Sequence, residues 1–136
     1  MSASRKNKIE YISAAEILAI HDRIIDEIGG IHGVRDENLF RSAAMRPQTA
    51  FGGSDVYPDV WTKAAILMEG IAVFHPFSDG NKRTSITAAS AFLFRNGYEI
   101  TLPAEESEEM VLAVAQKKMG VAELAAWLEK HSHKRA

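Results

Sequence analysis

A chain of 136 residues, 46% hydrophobic and 25% charged, has the size and balance of one globular domain with its own core, which excludes a wholly disordered or collagen-like polymer. Cysteine is absent, so disulfides, zinc–thiolate sites, iron–sulfur clusters and cysteine nucleophiles are excluded, in keeping with a reducing cytoplasm. Lys plus Arg number 16 against 18 Asp plus Glu, a net charge of −2 that gives no bulk drive toward nucleic acid or anionic lipid, and no apolar run is long enough to span a membrane. The polar segment Met1 to Glu10 lacks the apolar centre of a signal peptide.

In chain order, Ser13-Ala14-Ala15-Glu16 is a capping box opening a helix, with Ile17, Leu18, Ile20, Ile24, Ile25 and Ile28 at helical spacing and Gly29-Gly30 as its stop. Asp36 caps a short helix through about Met45, ended by Pro47. Gln48 to Tyr57 reads as a loop, and Pro58 suits the first turn of a helix running to about Phe74. Another helix spans Asn81 to Arg95, stopped by Asn96-Gly97. Tyr98 to Leu102 alternates weakly, as a short strand beside Ile9 to Ile12 would. Glu105–Met119 and Val121–His131 are the final helices, parted by Gly120. The expectation is one all-α domain over residues 1–136 with at most a trace of β, and flexible tails at 1–8 and 132–136, where the small basic clusters lie.

Two helices stand apart. Ala64 to Phe74 carries one charge, Glu69, and Thr84 to Phe94 carries none, as expected of buried central helices. Between them runs the polar connector His75-Pro76-Phe77-Ser78-Asp79-Gly80-Asn81-Lys82-Arg83. Lys82 and Arg83 fall in a first helical turn, where the partial positive charge of the helix end disfavours cations. An anion seated there removes the conflict, because the free backbone N–H groups and both cations then point at it. Gly80 lets the backbone approach a ligand, and Arg83 offers a planar fork to phosphate oxygens. Asp79 is the hard oxygen donor that Mg²⁺ takes alongside phosphates. His75, with an ordinary pKa near ~6.5, suits proton removal from a hydroxyl. Phe77 can anchor the loop in the core, and Asn81 can cap the helix or hold the loop. A base, a metal ligand and an anion cradle together describe phosphoryl or nucleotidyl transfer. Taken singly, each part is also an ordinary turn, helix end or solvated pair.

These residues resemble the core motif of the Fic/Doc family, His-x-Phe-x-Asp/Glu-Gly/Ala-Asn-Lys/Gly-Arg, with all seven constrained positions filled by His75, Phe77, Asp79, Gly80, Asn81, Lys82 and Arg83. Tyr11-Ile12-Ser13 through Ala19-Ile20-His21-Asp22, the Gly29-Gly30 turn and Leu93-Phe94-Arg95-Asn96-Gly97 are similar to its death-on-curing (Doc) branch, so the likeness covers about Ile9 to Glu129. The resemblance implies a compact helical bundle and an enzyme using ATP and Mg²⁺. His75 would deprotonate a target hydroxyl, Asp79 would hold the metal, Gly80, Asn81, Lys82 and Arg83 would hold phosphates, and Phe77 would anchor the loop. It further implies a toxin that passes the γ-phosphoryl of ATP to a threonine of elongation factor Tu, and a Phd-like antitoxin as partner.

Adenylyl-transferring members of the family read His-Pro-Phe-x-x-Gly-Asn-Gly-Arg-x-x-Arg. Here Lys82 replaces the second Gly and Ile86 the second Arg, which favours phosphoryl transfer, whereas Pro76 and Gly80 match the adenylyl-transferring pattern. AMP transfer, and a binding module without activity, are thus the alternatives. The self-restraining Ser/Thr-x-x-x-Glu-Gly/Asn helix has no good copy: Thr101 and Glu105 have the spacing, but Glu106 follows and Pro103 interrupts. Restraint would then come from another chain. Gln48–Tyr57 lies where the family places a target-docking flap. Elsewhere, His21 and His32 read as structural or surface residues, and His131-x-His133 as part of a fraying tail. Glu69 reads as ion-paired or near the site opening, and Trp61, Trp127, Met110 and Met119 as core filler.

Overall fold

The computed structural model describes residues 8–136. Among these, six α-helices carry the fold: α1 (Ala14–Ile28), α2 (Glu37–Met45), α3 (Val60–Phe74), α4 (Asn81–Arg95), α5 (Ala104–Ala115) and α6 (Val121–Lys130). Two small antiparallel pairs accompany them, β1 (Ala50–Phe51) with β2 (Ser54–Asp55) and β3 (Tyr98–Ile100) with β4 (Ser132–Lys134). The mainly helical architecture expected from the periodicity is the one observed.

Helix α3 is the axis of the molecule and touches α2, α4, α5 and α6. It is buried on nearly every side from Lys63 to Ala72, as its apolar sequence demands. Ala88, Ala89, Phe92 and Leu93 of α4 pack into the same core, with Phe40 of α2, Val114 of α5 and Leu124 and Leu128 of α6. Gly70 lets α2 approach closely, since a Cβ there would lie 3.2 Å from the Cβ of Ala43. Helix α4 is less enclosed than its uncharged sequence suggests, for Ile86 and Thr87 are half-buried and Phe94 is exposed.

The helix starts follow from their caps. Ser13 accepts the Glu16 N–H while the Glu16 carboxylate accepts the Ser13 N–H, the reciprocal pair expected. Asp36 caps α2 by accepting the Leu39 N–H. Helix α3 starts later than its proline suggested: Asp59 is the cap, accepting from both the N–H and the hydroxyl of Thr62, and Pro58 precedes it.

The β content departs from expectation in three places. Gln48–Tyr57 is not a plain loop but contains the β1–β2 hairpin, turned by Gly52 and Gly53, both at positive φ as a two-residue hairpin turn requires. Strand β3 pairs not with Ile9–Ile12 but with β4, placing Tyr98 opposite Lys134 and Ile100 opposite Ser132. Residues 132–134, expected in a tail, are therefore part of a ladder, and the tail expected over the first residues lies, but for Lys8, outside those described. The Ile9–Ile12 segment is held instead by Asn96, whose side-chain amide bonds both backbone groups of Glu10. Helix α5 ends at Ala115 rather than Met119, because Lys117 turns into the left-handed region.

Candidate active site

The connector between α3 and α4 is fixed from both sides. Helix α3 ends at Phe74, and His75 follows in the left-handed conformation (φ 50°, ψ 62°), unusual for a residue with a Cβ. Its amide still donates to the Ile71 carbonyl at 3.2 Å, while its carbonyl turns outward and accepts from Arg35 Nε at 2.7 Å. Phe77 is 1% exposed and is the loop's anchor, packed against Phe40 and stacked face to face on the His21 ring at 3.9 Å between centroids. A single backbone bridge joins Phe77 to Val34, and the Ser78 N–H donates to the Gly33 carbonyl. The side chain of Asn81 closes the loop on itself, accepting from the Phe77 N–H and donating to the Phe77 carbonyl, both at 3.0 Å. Of the two roles open to Asn81, its side chain thus takes that of holding the loop.

Gly80 forms the N-cap of α4 at φ 74°, and a Cβ there would meet Ile25 Cδ1 at 3.0 Å and His21 at 3.7 Å. Since glycine has no side chain to cap the helix, the first-turn N–H groups of Asn81, Lys82 and Arg83 keep no side-chain cap. The side chains of Lys82 and Arg83 stand exposed beside them. Asp79 is held at three points: Oδ1 accepts the Gly80 N–H (2.9 Å), Oδ2 accepts the Ile31 N–H (3.3 Å), and its carbonyl pairs with His21 Nε2 (2.7 Å). Each carboxylate oxygen retains acceptor capacity on its outer side.

All seven residues expected in the site border one open polar cleft of about 450 Å³, together with Ser78 and Arg35. Lys82 and Arg83 also border a second groove of about 590 Å³ between α4 and α5, walled by Ile86, Leu102, Val111 and Leu112. The two cations thus stand where a polar cleft meets an apolar groove, and Ile86 faces the apolar side.

The donor set fits a metal–polyphosphate ligand. One carboxylate with spare lone pairs suits Mg²⁺, which binds through one or two carboxylates and completes its shell with water and phosphate. Uncapped helical N–H groups flanked by Lys and Arg suit the phosphates.

Three residues of this neighbourhood carried no catalytic reading in the sequence. His21 is fully buried, and the signal was its place on the apolar face of α1 among Ile17, Ile24 and Ile25. Its Nε2 donates to the Asp79 carbonyl, and its buried Nδ1 makes no hydrogen bond in the structure. Arg35 and Ile31 come from the α1–α2 connection, and no local pattern could tell that they meet a loop 39 to 48 residues on. Lys63, also fully buried, donates to the Pro47 carbonyl and the Asp55 carboxylate, both at 3.1 Å, and so ties the β1–β2 hairpin to α3.

The remaining candidates lie elsewhere. Glu69 is ion-paired to Arg46 at 3.1 Å. His32 bridges Asp22 and Asp26, and their carboxylates raise its pKa above the usual value. His131 stacks on Trp127 and lies 3.3 Å from Glu106, while His133 pairs with Glu99 across the β3–β4 ladder. Trp61, half-buried, packs on Tyr98.

The Fic/DOC family model matches residues 11–93, which include α1 to α3, the connector and most of α4. The chain is 38% identical over 102 residues to Toxin Doc of Mycolicibacterium smegmatis, covering 74% of this chain and 78% of that protein. It is 28% identical over 122 residues to Protein kinase doc of Escherichia phage P1, covering 90% of this chain and 95% of that one.

Proposed function

The chain belongs to the Fic/DOC family, and from that premise we propose that it is a Doc-type toxin that transfers the γ-phosphoryl group of ATP to a Thr or Ser hydroxyl of a translation factor, with elongation factor Tu the expected target. The observation that carries the reading is the convergence on one cleft of an exposed histidine at a helix end, a carboxylate held by two backbone N–H donors and an uncapped helix N-terminus flanked by two cations.

In this reading one ring nitrogen of His75 takes the proton of the target hydroxyl as its oxygen forms a bond to the γ-phosphorus. The bond from that phosphorus to the bridging oxygen breaks, and ADP leaves. Arg83 and Lys82 hold phosphate oxygens through charge-assisted hydrogen bonds, and the first-turn N–H groups of α4 add donors that need no reorganisation. Asp79 would hold Mg²⁺, which neutralises phosphate charge and orients the chain of phosphates. Asn81 contributes through its backbone N–H, while its side chain keeps the loop in shape.

Lys82 and Ile86 support phosphoryl over AMP transfer: the apolar Ile86 stands where an adenylyl-transferring member has a phosphate-orienting arginine. Pro76 and Gly80 support the second reading, protein adenylylation. The activity would be exercised in the cytoplasm, and its restraint would fall to a Phd-like antitoxin. No helix among the described residues is long and apolar enough to cross a membrane.

Incubation with elongation factor Tu and ATP labelled at the γ or the α phosphate tests the reading. Label is expected to pass from the γ position only, and His75→Ala should lower the rate by about 10² to 10⁴-fold, the usual worth of a general base. Transfer from the α position alone would establish AMP transfer instead. Growth arrest unaffected by His75→Ala would sink both enzymatic readings.

A further inference from the structure

The conformation of His75 needs an explanation that its own sequence does not supply. The residue before a proline is driven out of the right-handed helical region, and proline has no N–H with which to continue the helix. That ends α3, but extended backbone is the ordinary outcome, whereas His75 is left-handed at φ 50°. For a residue with a Cβ that conformation is sterically disfavoured and persists only where the surroundings enforce it. The last turn of α3 contains no cation of its own to meet the carbonyls that the helix end exposes.

The residues that meet them come from the start of α2. Arg35 Nη2 donates to the Phe74 carbonyl at 2.9 Å and its Nε to the His75 carbonyl at 2.7 Å. The backbone N–H groups of Arg35 and Asp36 both donate to the Pro76 carbonyl, at 2.7 and 3.2 Å. Three successive carbonyls, one on each side of His75 and its own, are thus received by two adjacent residues about 40 positions earlier. A planar guanidinium can receive two carbonyls in a fixed relative orientation, which a lysine ammonium cannot impose. We propose that Arg35 is the positioning residue of the catalytic histidine: its fork fixes the left-handed turn at His75 and so aims the imidazole into the cleft. The proposal rests on the reading of His75 as the base, but its conformational part stands apart from which group is transferred. Arg35 borders the cleft too, so direct contact with phosphate is the rival role.

The experiment compares the full chain with Arg35→Ala and Arg35→Lys. The intraresidue amide–Hα cross-peak and the one-bond Cα–Hα coupling of His75, both of which report a positive φ, are read by NMR without any substrate. Phosphoryl transfer is read separately as kcat and as KM for ATP. In Arg35→Ala the positive-φ signature should disappear and kcat should fall by about 10²-fold, as expected for a misplaced catalytic group, with KM for ATP changed less than about twofold. Arg35→Lys should recover part of kcat and part of the signature; if the alanine variant does not fold, this variant carries the test through a partial loss of both. A preserved positive-φ signature in the folded variants would overturn the proposal, and so would a raised KM with kcat unchanged, which is the mark of a phosphate ligand. If the signature disappears while the unmodified chain shows no transfer from ATP, the positioning role is upheld and the kinase reading fails.

Discussion

Asn81 and Gly80 show how differently single residues of one motif contribute. Asn81 uses both halves of its amide on the backbone of Phe77, so its removal opens a loop rather than an empty phosphate contact. Gly80 is required by shape: its φ is 74°, and a methyl group on its Cα would lie 3.0 Å from Ile25 Cδ1, which leaves little room for a side chain. Gly80→Ala should therefore destabilise the fold by about 1–3 kcal/mol through backbone strain and crowding, read as a lowered urea midpoint. An unchanged midpoint would mean that the cap is softer than its geometry. At this scale the sequence was most legible, because the motif is contiguous and its charge order conflicts with the helix dipole. His21 and Arg35 were not legible, since their partners lie 58 and about 40 residues away and an isolated histidine or arginine carries no mark of what it will meet.

Among the elements, the β1–β2 hairpin depends on an ion. Lys63 is a fully buried cation on an apolar helix, satisfied by the Pro47 carbonyl and the half-exposed Asp55 carboxylate, with the Tyr11 ring 5.3 Å from its nitrogen. Removing one partner of such a pair leaves the other charge stranded, whereas an apolar replacement of the buried member is milder. Asp55→Ala should cost about 1–3 kcal/mol of stability, and Lys63→Met less, by chemical denaturation. The reverse order would show that water, not Asp55, satisfies the lysine. Helix positions were readable because caps and stops are local: α4 spans the stretch expected, and the capping box and Asp36 cap are in place. Strand partners were not, because β3 and β4 are three residues each and adjacency in space left no trace in their alternation.

For the molecule as a whole, acid is the informative perturbation. Glu16 completes the α1 cap and also receives Arg95 from the far end of α4. Arg95, chiefly, and the Ser13 N–H hold the Glu16 carboxyl down to about 2, well below its ordinary 4.5. A depressed folded-state pKa contributes stability that is present above about pH 4.5 and is lost as pH falls toward 2. Because the carboxylate is 43% exposed, the contribution is on the order of 1 kcal/mol after solvent screening. Glu16→Gln should flatten the fall of Tm between pH 5 and about 2; an identical slope would show that other carboxylates govern acid unfolding. His32 works in the opposite sense: its pKa is raised by Asp22 and Asp26, so its contribution is full below about 6.5 and is lost as pH rises through the raised folded-state value.

The triple hold on Asp79 has a consequence in time. Its donors, His21, the Ile31 amide and the Gly80 amide, come from chain positions up to 58 residues away from it. Closing loops of that length precedes any reward from the contacts they make, so such contacts form late in folding. A chain emerging from the ribosome would present its N-terminal helix first and gain an ordered Asp79 carboxylate only after α3 and α4 had been synthesised and docked. The candidate cleft is therefore unformed while the chain is being made, and any partner that recognises the finished cleft has no target until the last of these segments has closed.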